Sequence, residues 1–121
     1  MTVLLKENGQ LLRIFIGETN KHGRIPLYEW IVQQARSKGM AGATVLRGIQ
    51  GFGANSLIHT TKILRLSEDL PVVIEIIDTE EKIEAFLEAI DDSITDGIVT
   101  VEKARVRMYR ASRENNDDAA S

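Results

Sequence analysis

Two arginines, Arg105 and Arg107, stand two residues apart near the end of the chain, and three glycines, Gly48, Gly51 and Gly53, crowd one turn near its middle. Residues two apart on an extended segment project from the same face, which would bring the two guanidinium groups together. Such planar forks suit phosphate or carboxylate, and they equally suit the acidic side chains of this chain or of a neighbouring subunit. Glycines at the end of a strand mark either a forced exit or a place where peptide N–H groups approach a ligand closely. The chemistry open to these residues is the holding of an anion rather than its conversion. The two histidines, His22 and His59, lie in polar stretches without metal-ligand spacing and read as surface residues. No nucleophile–base–acid set and no GxxxxGK[ST] phosphate loop is recognisable, so the chain is not read as an enzyme, and no metal site is expected.

The elements that must position these residues belong to one domain, since 121 residues suffice for a single core. With no cysteine there is no disulfide framework and no thiolate chemistry. There is no apolar run long enough to cross a bilayer and no signal-peptide pattern, so a cytoplasmic address without membrane insertion is expected. The net charge of −3 hides an asymmetry: Arg13 to Arg65 holds eight Lys/Arg against two acids, and Leu66 to Glu102 holds one Lys against twelve. A nucleic-acid binder would show a net basic domain with interleaved aromatics, which this chain lacks.

Residues 1–9 read as a lead-in ending in an Asn8-Gly9 turn, 10–111 as the folded domain, and 112–121 as a disordered tail without apolar periodicity. Leu11–Ile16 is a first strand and Gly17–Arg24 a polar loop. Pro26 opens a helix whose stripe of Leu27, Ile31 and Ala35 ends at Gly39. Ala43–Gln50 is the second strand. Ala54–Asp69 is a long connection, read either as a hairpin with an untidy tip or as a recognition loop. Leu70–Ile77 is the third strand, and Asp78 with Glu81 marks a helix start. Ile83, Phe86, Leu87, Ile90 and Ile94 recur at helical spacing. Ile98–Tyr109 alternates as a last long strand carrying both arginines. The order is βαββαβ, an α+β ferredoxin-like sandwich with a four-stranded antiparallel sheet. Both helices cover one face of such a sheet, yet the third strand is apolar on both, with Val72, Ile74 and Ile76 against Val73 and Ile77. An uncovered apolar face in water disfavours a monomer.

Several stretches together resemble the nitrogen-regulatory PII signalling proteins, and more closely an uncharacterised PII-like family of small bacterial and archaeal proteins. Gly42-Ala43-Thr44-Val45 and Gly51-Phe52-Gly53 are similar to the PII second strand and the start of its long T-loop. Leu70 to Ile76 is similar to the third strand, Asp96 to Val101 to the end of the B-loop and the fourth strand, and Arg105-x-Arg107 to the PII C-terminal pair. The resemblance implies a homotrimer with adenine nucleotides in the clefts between subunits. It puts Thr44, Gly51, Phe52 and Gly53 near the nucleotide, with Arg105 and Arg107 on its phosphates. It also implies that the long loop, 54–69, contacts a regulated partner, a membrane transporter or an enzyme, through residues such as Asn55, His59 and Lys62.

The departures from PII are as specific. The B-loop, Asp92-Ser93-Ile94-Thr95, is short and lacks the phosphate-holding glycine and lysine, which favours AMP or ADP over ATP. Asn55 replaces a glutamine, the loop has no tyrosine, and the insertion Gly17–Arg24 points to the uncharacterised family. Two other functions share this fold: a metal-binding or structural trimer of the ion-tolerance type, and a small enzyme using the same cleft.

Overall fold

The computed structural model describes residues 2–53 and 69–112. Asn55, His59 and Lys62 lie outside the described residues, with the rest of 54–68 and the tail from 113 onward. In chain order the elements are α1 (Thr2–Asn8), β1 (Gly9–Gly17), β2 (Lys21–His22), β3 (Ile25–Pro26), α2 (Leu27–Ser37), β4 (Thr44–Arg47), β5 (Pro71–Thr79), α3 (Glu80–Ile90), a 3₁₀ turn (Asp91–Ser93) and β6 (Ile98–Lys103). The main sheet runs β4-β5-β1-β6 with every neighbouring pair antiparallel. This is the α+β, ferredoxin-like order that the sequence predicts.

Alternation along the two central strands builds the core. Leu12, Ile14 and Ile16 of β1 and Val72, Ile74 and Ile76 of β5 are buried beneath the helices. Leu27, Ile31 and Ala35 of α2 and Ile83, Phe86 and Ile90 of α3 meet them, four or three residues apart on one helical stripe. Helix α2 stops at Gly39, whose φ of 73° is a left-handed conformation that costs glycine little. Gly39 N–H donates to the Arg36 carbonyl and Met40 N–H to the Ala35 carbonyl, closing a Schellman turn that lays Met40 against the core.

Neither α2 nor α3 packs on the sheet's other face, against which, of the described helices, only the short α1 lies, near Gly9. Register places Leu46, Val73, Phe15 and Ile98 in one apolar row across all four strands. Beside it runs a polar row, Thr44, Glu75, Arg13 and Thr100, in which Arg13 Nε meets Glu75 Oε2 at 3.0 Å. Leu46 and Ile98 are 49% and 60% exposed, so the row ends in open apolar surface.

Several boundaries differ from the sequence reading, among them the second strand, which spans Thr44–Arg47 rather than Ala43–Gln50 because Arg47, opposite Val72, is its last paired residue. The 1–9 segment contains the short helix α1, which buries Leu5. Within the polar loop, β2 and β3 pair Lys21 with Pro26 and His22 with Ile25, a ladder too short to show as alternation. The N-cap of α3 is Thr79, whose hydroxyl accepts from Lys82 N–H, while Asp78 stays in β5 and is buried. The last strand ends at Lys103 rather than Tyr109, because its partner β1 ends there: Lys103 pairs with Gln10, and Ala104 N–H to Gly9 carbonyl is the final rung.

Candidate functional site

A cleft of about 210 Å³ opens at one end of the sheet. Four pieces of chain form it: the end of β1 (Phe15 to Gly17), Gly51–Gly53, Asp69 with Pro71, and Asp96–Ile98. Gly97 sits where an added Cβ would lie 2.5 Å from the Phe15 carbonyl oxygen, so only glycine lets this wall lie against β1. Gly48 does not present its N–H to the cleft, since that group donates to the Pro71 carbonyl at 2.7 Å. Of the glycine cluster, Gly48 therefore serves the exit from β4, while Gly51 and Gly53 line the cleft with Phe52.

The walls are mainly apolar, with Phe15, Ile16, Phe52, Pro71 and Ile98. Their polar side chains are Asn20, Asp69 and Asp96, and no lysine or arginine is among the described residues that line the cleft. Asp69 Oδ1 accepts from Thr19 N–H at 3.2 Å and from the Thr19 hydroxyl at 3.0 Å. Asn20 Nδ2 donates to the Asp96 carbonyl at 3.5 Å. Among the described residues, no group of three or more histidines or carboxylates is arranged to hold a metal ion.

Arg105 and Arg107 stand at the opposite end of the sheet. They follow β6 beyond the Ala104–Gly9 rung, both exposed and separated by the half-buried Val106. No strand carries them, so the sheet does not impose the shared face that two-residue spacing gives within a strand. Neither forms an ion pair with a described residue. Tyr109 donates its hydroxyl to the Ala41 carbonyl at 3.0 Å, which draws this segment toward the loop between α2 and β4. That loop is itself held: Ala41 N–H donates to the buried Asp78 carboxylate at 2.8 Å, and Lys82 Nζ donates to the Gly39 carbonyl at 2.6 Å. Thr44 begins β4 just beyond it, on the face away from α2 and α3, beside Glu75. From Gly9 to Phe15, where the cleft begins, β1 takes six steps, about 20 Å at the usual rise, and this length separates the arginine end from the cleft.

Of the residues singled out from sequence, Gly51, Phe52 and Gly53 come together in the cleft, while Thr44, Arg105 and Arg107 do not join them within one chain. Sequence reasoning missed Asp69, Asn20 and Asp96 as cleft residues. Beside the cleft, the Glu18 carboxylate pairs with the Arg47 guanidinium. The signal for this turn was the polar run Gly17-Glu18-Thr19-Asn20 immediately after an apolar strand. His22 stacks on Trp30 with ring centroids 3.9 Å apart and planes at 12°, a contact that pins the β2–β3 hairpin to α2.

A family profile, DUF190, described as "Uncharacterized ACR", matches residues 9–106. A UPF0166 protein of Aquifex aeolicus is 42% identical over 97 residues, covering 80% of this chain and 91% of the relative. Among solved structures, CPII of Thiomonas intermedia K12, a nitrogen regulatory PII-like protein bound to ADP, AMP and bicarbonate, superposes with a TM-score of 0.58 at 17% identity. That match covers 83% of this chain and 93% of CPII. A PII-like signalling protein of Thermus thermophilus gives a TM-score of 0.56 at 17% identity, over 82% of this chain and 90% of the other. At these identities the structural matches establish the fold, which is PII-like. No helix among the described residues is long and apolar enough to cross a membrane.

Proposed function

Because the chain belongs to the DUF190 family and has a PII-like fold, we propose that it is a homotrimeric regulator that binds an adenine nucleotide in the clefts between its subunits. One observation supports this reading: the cleft and the arginine pair sit at opposite ends of one sheet, about 20 Å apart by strand rise. A small ligand does not bridge that length inside one subunit. In a closed ring of three, head-to-tail contacts bring the Gly51–Gly53 end of one subunit to the Arg105–Arg107 end of the next. The cleft of about 210 Å³ falls below the roughly 300–1,000 Å³ of a complete small-molecule pocket, as half of a shared site would. The row Leu46, Val73, Phe15 and Ile98 supplies apolar surface for the ring to bury.

The cleft's charge orients the ligand. With Asp69 and Asp96 and no cation in its described lining, it receives the base and ribose, and the phosphates reach the neighbour's Arg105 and Arg107. Two guanidinium groups and a B-loop without lysine suit AMP or ADP better than ATP. CPII, of the same fold, was solved with both ADP and AMP. The role is regulatory rather than catalytic and is exercised in the cytoplasm. Residues 54–69, with Asn55, His59 and Lys62, contact the regulated protein, a membrane transporter or an enzyme.

Calorimetry with AMP, ADP and ATP, run beside light scattering, tests this. Three chains per particle and saturable binding of AMP or ADP are expected. A monomer, or no binding by any of the three at millimolar concentration, overturns it.

A further inference from the structure

The turn Glu18-Thr19-Asn20 makes polar contacts with the Asp69 and Asp96 walls of the cleft and with Leu70 and Arg47 beside them. Glu18 N–H donates to the Leu70 carbonyl at 2.8 Å, and the Glu18 carboxylate pairs with Arg47 at the end of β4, the strand that leads into Gly51–Gly53. Thr19 holds Asp69 through both its N–H and its hydroxyl, at 3.2 and 3.0 Å. Asn20 reaches the Asp96 carbonyl at 3.5 Å, and its own carbonyl accepts from Leu27 N–H at 2.7 Å, at the start of α2. Three consecutive residues thus connect four segments that lie far apart in sequence.

Glu18 and Thr19 do not themselves line the cleft; they act on it through Arg47, Asp69 and Leu70. An exposed ion pair such as Glu18–Arg47 is weak alone, with the Arg47 side chain 60% exposed. Its value lies in direction, since it draws the end of β4 toward the same turn that holds Asp69 and Asp96. We propose that this turn is the positioning element of the cleft, with Glu18 and Thr19 setting how Gly51–Gly53 and Asp69–Pro71 face Asp96–Ile98. The proposal rests on the reading of the cleft as half of a nucleotide site.

Thr19→Val removes the hydroxyl bond at nearly constant shape, Glu18→Gln removes the charge, and Glu84→Gln, exposed on α3, serves as control. Titrated with AMP and ADP, Thr19→Val and Glu18→Gln should each bind about fivefold more weakly, the scale of one lost hydrogen bond, while Glu84→Gln binds as wild type. Hydrogen exchange without nucleotide supplies a second readout, in which Thr19→Val should speed exchange at Gly51–Gly53, Leu70 and Gly97–Ile98 together. If wild type binds AMP or ADP and both variants keep its affinity, the positioning role is overturned. If wild type binds neither, the nucleotide reading fails and exchange alone decides. Acceleration at all three walls sustains the positioning role, and acceleration confined to residues 17–20 and 69 overturns it.

Discussion

Tyr109 donates its hydroxyl to the carbonyl of Ala41 at 3.0 Å, tying the segment that carries Arg105 and Arg107 to the loop that precedes Thr44. The bond is exposed, so Tyr109→Phe should cost no more than about 1 kcal/mol of stability. If the bond holds the arginines for a ligand, the same change weakens AMP or ADP binding by a similar factor, about fivefold. Thermal melts and calorimetry on the one variant separate the two effects. An unchanged affinity would detach Tyr109 from the site.

Asp78 should matter far more to stability. It is 1% exposed and accepts the N–H groups of both Ala41 and Thr79. Asp78→Ala strands the Ala41 donor and removes the partner of Lys82, at a cost of about 2–3 kcal/mol in denaturant unfolding. Asp78→Asn, which keeps an acceptor, should lose less. Equal losses in the two variants would mean that packing, not hydrogen bonding, sets the requirement.

Gly97 offers a test of the cleft wall. Gly97→Ala places a methyl 2.5 Å from the Phe15 carbonyl oxygen, and the strain should cost about 1–3 kcal/mol. Gly42→Ala meets nothing within 4 Å and should lie within about 0.5 kcal/mol of wild type. Melting curves of the pair check the contrast.

The fold was legible because its signals are local. Short apolar runs marked β1 and β5, spacings of three and four marked α2 and α3, and Gly39 marked a helix end. What escaped was short or set by a partner. The β2–β3 ladder has two pairs, too few for a pattern. The end of β6 depends on where β1 begins, far earlier in the chain, and cannot be read from the alternation of Ile98 to Tyr109. Of the candidate site, only local spacings were legible, for the same reason. Gly51-Phe52-Gly53 and Arg105-x-Arg107 are local spacings, whereas Asn20, Asp69 and Asp96 meet only after three loops converge at one sheet end. Glu18 and Arg47, far apart in sequence, meet only because the fold brings them together.

The sheet face that α2 and α3 leave uncovered gives a prediction for assembly. Leu46 lies at one end of the apolar row and Ile98 at the other, and both are well exposed in a single chain. A paired change, Leu46→Glu with Ile98→Glu, should convert the proposed trimer to monomers in light scattering while leaving the helix-side core intact by circular dichroism. An assembly that survives both charges must use another surface.

The central claim is that each ligand site is shared between two subunits, and mixed oligomers test it most directly. One variant, Gly53→Trp, fills the cleft from a position where a Cβ meets nothing within 4 Å; a second, Arg105→Ala with Arg107→Ala, removes the guanidinium pair. Neither should bind AMP or ADP as a pure oligomer. Coexpressed in equal amounts, they should regain binding at about one quarter of the sites, because random assembly in a closed ring joins an intact cleft to intact arginines that often. If the mixture binds no more than its parents, or if either pure variant binds as wild type, the site is not shared and the account is contradicted.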